Sequence, residues 1–210
     1  MLVPGPEWVA ADVETGALVR ALATDTLLPD APRPSVPLEL VSFRIAPSGE
    51  PPDPARPEAV RIAEGSLTKL PPPRQRAVRR LLGHLVTSSR SRPLLGSLGP
   101  SIAYPDLEGD RPSLAVVAPD QRPRFGNGPT GAWCQFSLAG RRHALPLRGR
   151  PEEALDLVEG LSAAFEGRRR HRRRGPGAAV PRLLVIGFGP PRRGQVPKLV
   201  LGAISEPARS

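Results

Sequence analysis

The sequence predicts an α+β fold: a mostly antiparallel sheet with two amphipathic helices packed on it and long Pro-rich loops. Three observations carry this expectation. Short apolar runs with strand spacing recur from residue 38 to residue 204. Two segments, 74–90 and 151–167, carry apolar residues at helical spacing. The 29 prolines fall largely between these runs, where they stop helices and stay out of sheet interiors. A chain of 210 residues fits one domain, 1–210, with a core large enough to need no disulfide or metal.

The first segment, EWVAADVETGALVRALA, offers Trp8, Val9, Val13, Leu18, Val19 and Leu22 for burial. Gly16 breaks it, so it reads as a strand pair or as a strand and short helix. TLLPDAPRPSVP is a loop. LELVSFRIA, 38–46, alternates as a strand, and AVRIAEG, 59–65, is its return strand across the exposed tip PSGEPPDPARP. After Pro71, Pro72 and Pro73 the clearest helix begins. Val78, Leu81, Leu82, Leu85 and Val86 form one stripe, and the helix should end before Pro93.

A short strand is expected around Ser101 to Tyr104. SLAVVAPD, 113–120, has a continuous apolar run that suits a central strand buried on both faces. QRPRFGNGPTG reads as a turn-rich loop. AWCQFSLAGRRHALPL, 132–147, is a hairpin. A type II′ turn at Gly140–Arg141 pairs Leu138 with His143, Phe136 with Leu145 and Cys134 with Leu147. Cys134, Phe136, Leu138, Leu145 and Leu147 then share one face, and Trp133, Gln135 and Ser137 the other. Pro146 makes the second strand an edge or bulged one. PEEALDLVEGLSAAFEG, 151–167, is the second helix. A mobile basic loop at about 167–179 follows, and the strands 180–189 and 197–204 close the chain as an antiparallel hairpin.

Thirty basic residues against twenty acidic give a net charge of +10. The run GRRRHRRRG contributes six of them: Arg168, Arg169, Arg170, Arg172, Arg173 and Arg174. The charge is uneven. Residues 1–66 hold five arginines and ten acids, net −5, and the rest of the chain is net +15. Only Lys69 and Lys198 are lysines. Arginine, proline, alanine and glycine share GC-rich codons, so the preference for arginine is also what a GC-rich genome produces.

The lone Cys134 cannot form an internal disulfide and reads as a buried thiol in a reducing compartment. His84, His143 and His171 do not join it at any metal-ligand spacing, so no metal site is expected. No secretory leader or membrane-length apolar run is visible, which points to the cytoplasm. No cofactor is expected: the glycines of GFGPPRRGQ precede prolines and a strand, where a phosphate-binding turn needs a helix. No serine sits in a nucleophile elbow. Cys134 and His143 can be imagined as a thiol dyad, but the hairpin register separates them along the sheet.

The expected function is therefore a non-enzymatic accessory or assembly domain that meets a protein partner or a second copy of itself, with no catalytic residues. Trp133, on the half-exposed side of its hairpin, is the candidate interface anchor. The alternative is nonspecific nucleic-acid binding through counterion release. Its contacts would be Arg74, Arg76, Arg79, Arg80, Arg168, Arg169, Arg170, Arg172, Arg173, Arg174, Arg192 and Arg193. A remote alternative is a metal-dependent nuclease. In ADVET, Asp12 and Glu14 would share a strand face, and the stretch resembles the first acidic motif of the exonuclease superfamily with four acidic residues. Asp106, Asp110 and Asp120 do not complete that pattern, so the family is not assigned.

Overall fold

The computed structural model describes residues 7–22, 38–47, 53–90, 93–107, 111–128, 131–148 and 182–205. The chain runs β1 (Glu7–Ala11), β2 (Leu18–Leu22), β3 (Val41–Ser42), β4 (Ala59–Arg61), β5 (Thr68–Lys69) and helix α1 (Gln75–Arg90). It continues with β6 (Ser101–Ala103), β7 (Leu114–Val117), β8 (Arg124–Gly128), β9 (Gly131–Leu138), β10 (Arg141–Pro146), β11 (Arg182–Phe188) and β12 (Gln195–Ser205).

This architecture is mostly β, built from several sheets with one helix among the described residues. It overturns the α+β expectation of one sheet carrying two amphipathic helices. The physical reason is that other strands cover most of the central sheet. The expected second helix at 151–167 and the basic loop at 167–179 lie outside the described residues.

The central sheet has the order β6–β12–β11–β7, all antiparallel. Alternation sends its side chains to two cores. Ala115, Val117, Leu184, Ile186 and Phe188 face one way and meet Cys134, Phe136, Leu138, Leu145 and Leu147 of the sheet β10–β9–β8. Leu114, Val116, Leu183 and Val185 face the other way, toward Val9 of β1 and Leu82 and Leu85 of α1. Both leucines are buried, each contributing about 2 kcal/mol by removal from water. Val78, Leu81 and Val86 complete the helix stripe read from the sequence. The register between β11 and β12 shifts after Val185, which pairs with Gly202 while Ile186 pairs with Val200. Leu201 is the extra residue; it faces the second core with Leu199, and after the bulge Ala203 packs toward the first core and Ile204 toward the second.

Two further contacts set the layers. Leu147 makes a parallel bridge to Val200, and the Arg148 N–H donates to the Val200 carbonyl at 2.9 Å, so the end of β10 is stitched to β12. On the other side β1 and β2 form a hairpin, and β2 pairs in parallel with β4. Trp8, Ala21 and Ile62 make a small core on the outer side of that sheet.

Several local expectations change. Residues 38–46 and 59–65 do not form one long hairpin. β3 pairs with β5, β4 pairs with β2, and a single bridge, Ile45 to Ile62, remains between them. β7 is buried on both faces as its apolar run implied, yet it ends the sheet order instead of lying centrally. QRPRFGNGPTG contains strand β8, because Gly126 and Gly128 make room for a tryptophan on β9. The β9–β10 turn is Ala139–Gly140, with φ of 49° and 75°, and not Gly140–Arg141. Two successive positive φ angles give a type I′ turn, whose twist suits a hairpin. Leu138 therefore pairs with Arg141, Phe136 with His143 and Cys134 with Leu145. The shift is an even number of residues, so the face assignments survive. Pro146 lies on β10, an edge strand of its sheet.

Candidate functional site

The arginines singled out from the sequence fall on separate elements. Arg74, at the start of α1, is exposed, as are Arg76 and Arg80, and Arg79 is half-buried. Arg192 and Arg193 are exposed in the turn between β11 and β12, where Arg193 has a φ of 50° and Arg192 exchanges backbone hydrogen bonds with Gln195. Arg168, Arg169, Arg170, Arg172, Arg173 and Arg174 lie outside the described residues.

Trp133 is half-buried on the outer face of the β10–β9–β8 sheet. Its cross-strand neighbours are Gly126 and Pro146. A Cβ on Gly126 would stand 2.5 Å from the indole ring, so the ring lies across bare backbone. Gln135 sits between Arg124 and Ala144, and Ser137 opposes Arg142. Arg124, Arg142, Ala144 and Pro146 are exposed. The described positions of this face thus place one tryptophan beside two apolar residues and two arginines, with no acidic side chain.

The readings based on catalysis meet specific geometry. Asp12 and Glu14 lie in the β1–β2 turn and not in a strand. The Asp12 carboxylate accepts the backbone N–H groups of Glu14 and Thr15, each at 2.8 Å, and these bonds hold its pKa below the ordinary value. It is a turn cap. Among the described residues no group of three or more His, Cys, Asp or Glu is placed to hold a metal ion. Cys134 is wholly buried between the sheets, and burial pushes its thiol up to about 12, which keeps it neutral and poorly nucleophilic. His143 stacks on Phe136 with ring centroids 5.2 Å apart. Burial, then the charges of Lys198 and Arg141, lower its pKa.

Lys198 is a buried cation that sequence reasoning passed over. It is 0 % exposed, its Nζ donates to the Ser97 carbonyl at 2.7 Å, and burial brings its pKa down to about 8.

The third feature is a cleft of about 250 Å³ lined by Arg20, Arg56 and Arg148 together with Phe188, Gly189, Pro190, Leu199 and Leu201. Arg20 projects from β2 and is 1 % exposed. Its Nε donates to Glu58 Oε1 at 2.9 Å, and the other Glu58 oxygen accepts a short hydrogen bond from Ser113 Oγ. Arg56 forms an ion pair with Asp53 at 3.5 Å, and Asp53 also accepts from Tyr104 OH at 3.2 Å. Desolvation, followed by the Asp53 charge, raises the Tyr104 pKa. Arg148 follows β10 and is held by its backbone bond to β12. None of these arginines stood out in the sequence. Arg20 and Arg56 lie in its acidic third, and only the meeting of β2, the turn before β4 and the end of β10 brings the three together.

Neither the known protein families, nor the curated proteins, nor the solved structures contain a match to this chain.

Proposed function

We propose that the protein is a non-enzymatic assembly or accessory domain that docks an acidic protein surface on the outer face of its β8–β9–β10 sheet. The observation that supports this reading is the arrangement around Trp133: an aromatic ring laid over Gly126 and flanked by Pro146, with Arg124 and Ala144 one row away and Arg142 two rows away. Tryptophan and arginine are the side chains that most often dominate protein interfaces. An acid-free basic face selects an acidic partner and repels a basic one. The net −5 of residues 1–66 makes a second copy of the chain one such partner. The lone, buried Cys134 suits a reducing compartment, so the cytoplasm is the proposed location. Among the described residues no helix is long and apolar enough to cross a membrane.

The test compares the full chain with Trp133→Ala and with the double variant Arg124→Glu/Arg142→Glu. Sedimentation over a range of concentrations reads self-association, and cross-linking in the native host reads partner retention. Both variants should lose whichever association the parent shows. If mass and cross-linked partners are the same for all three proteins, the outer face is not the docking surface.

A further inference from the structure

The geometry points to an acid-sensitive seam between β10 and β12: His143 and Lys198 hold neighbouring inner positions there, protonation of the histidine sets a second cation beside the lysine, and the two sheets part at this edge as pH falls. This property goes beyond the docking reading proposed for the Trp133 face and does not rest on it.

Three relationships support the assignment. The first is placement. Leu147 bridges Val200 in parallel, so two residues back along each strand Leu145 comes level with Lys198, and His143 is the next side chain of β10 toward the space between the sheets. The second is the surroundings. Lys198 is wholly buried beside Val196 and Val200 of the first core, and its Nζ has the Ser97 carbonyl as its one acceptor among the described residues, although an ammonium carries three donors. His143 is half-buried, and its ring stacks on the buried Phe136. The third is the sign of the nearby charges. Arg141 comes from β10 and Lys198 from β12, while β11 offers Phe188 and β9 offers Cys134, whose thiol is neutral. Asp120 meets this hairpin at its turn, where it accepts the Gly140 N–H. Among the described residues the charges that act on His143 are the two positive ones, and they add to burial in lowering its pKa from 6.5. Above that value the histidine is neutral whether the seam is closed or open. As pH falls through it, the opened chain takes up a proton that the closed seam resists, so closure loses stability, and Lys198 is charged throughout.

Cys134 lies under the seam, opposite Leu145, and is the chain's only cysteine, so its reaction with 4,4′-dithiodipyridine reads opening. The rate for the folded full chain, compared at each pH with the rate for the chain unfolded in urea, gives the protection of the thiol. Protection should fall by about tenfold between pH 7 and pH 5, within the limit of about tenfold per pH unit that one proton sets, while circular dichroism keeps its native signal. His143→Phe keeps a ring against Phe136 and cannot titrate, so its protection should stay level over the same range. If that variant is not folded, His143→Gln takes its place. Lys198→Met removes the neighbouring charge and should cut the fall to about threefold or less. His84→Gln should leave the fall as it is in the parent. The assignment is overturned if protection in the parent does not change, if a folded His143 variant keeps the fall, or if Lys198→Met keeps all of it. It is equally overturned if His84→Gln abolishes the fall, or if the circular dichroism signal is lost in step with protection, which would mean unfolding of the whole chain.

Discussion

Gly187 of β11 presents bare backbone to the buried guanidinium of Arg20: a Cβ at this position would come within 2.9 Å of Nη2. The same Cβ would stand 2.7 Å from Leu201 Cδ1 and 2.8 Å from Leu114 Cδ2. A glycine in the middle of a strand gives up packing, and here it makes room for a charged group between two sheets. Gly187→Ala should therefore destabilise the protein by about 1–3 kcal/mol through overpacking, more than loss of glycine flexibility could return. Urea denaturation of parent and variant measures this. An unchanged midpoint would mean that Arg20 and the leucines move aside freely.

Two buried titratable groups, Lys198 and Cys134, act on stability with opposite signs. Burial lowers Lys198 from 10.5 to about 8. Between these values the unfolded chain holds a proton that the folded chain has lost, so Lys198 makes stability rise with pH. Below about 8 both states are protonated and the full penalty of the buried ammonium is present. Cys134 moves from 9.0 to about 12. There the folded chain holds the proton longer, so Cys134 makes stability fall as pH rises through that interval. In a Cys134→Ala background, Lys198→Met should stabilise the protein near neutral pH. The gain has an upper limit on the order of 3 kcal/mol, reduced by the donor lost to the Ser97 carbonyl. The difference from the lysine parent should shrink toward pH 10.5. Chemical denaturation along a pH series reads the gap, and parallel curves would refute the assignment to Lys198.

The β9–β10 turn holds Ala139 at a φ of 49°, in the left-handed region that favours glycine. Asp120 Oδ2 accepts the N–H of the next residue, Gly140, at 2.9 Å and pins the turn. Ala139→Gly should stabilise by about 0.5–1 kcal/mol if relief of Cβ strain exceeds the entropy gained by the unfolded chain. Thermal unfolding checks the direction. A fall in midpoint would show that the surrounding sheet, and not the turn, sets this conformation.

The parts of the fold that could be read from the residues are those governed by local periodicity. The stripe from Val78 to Val86 is a helix face against the central sheet, and the alternation in 132–147 separates buried from outer side chains even though the turn is displaced. The two closing strands pair as their apolar runs imply, with ends at Arg182–Phe188 and Gln195–Ser205. The missed elements have no such signal. β8 hides in a glycine-rich stretch because its side-chain volume is supplied by Trp133 from the neighbouring strand. β4 is three residues long and takes β2 as a parallel partner, a choice that neither strand records in its own pattern.

By itself the sequence determined which side chains leave water, because alternation and helical spacing assign each apolar residue to a face whatever that face meets. It also determined the uneven distribution of charge. Only the tertiary structure decided what each face meets: a second sheet on one side of the central strands, and a helix with a strand pair on the other. The arginine cleft belongs to that second level. Arg20, Arg56 and Arg148 are separated by tens of residues, and they converge because burial of the surrounding apolar faces draws their strands together, an interaction that carries no sequence spacing of its own.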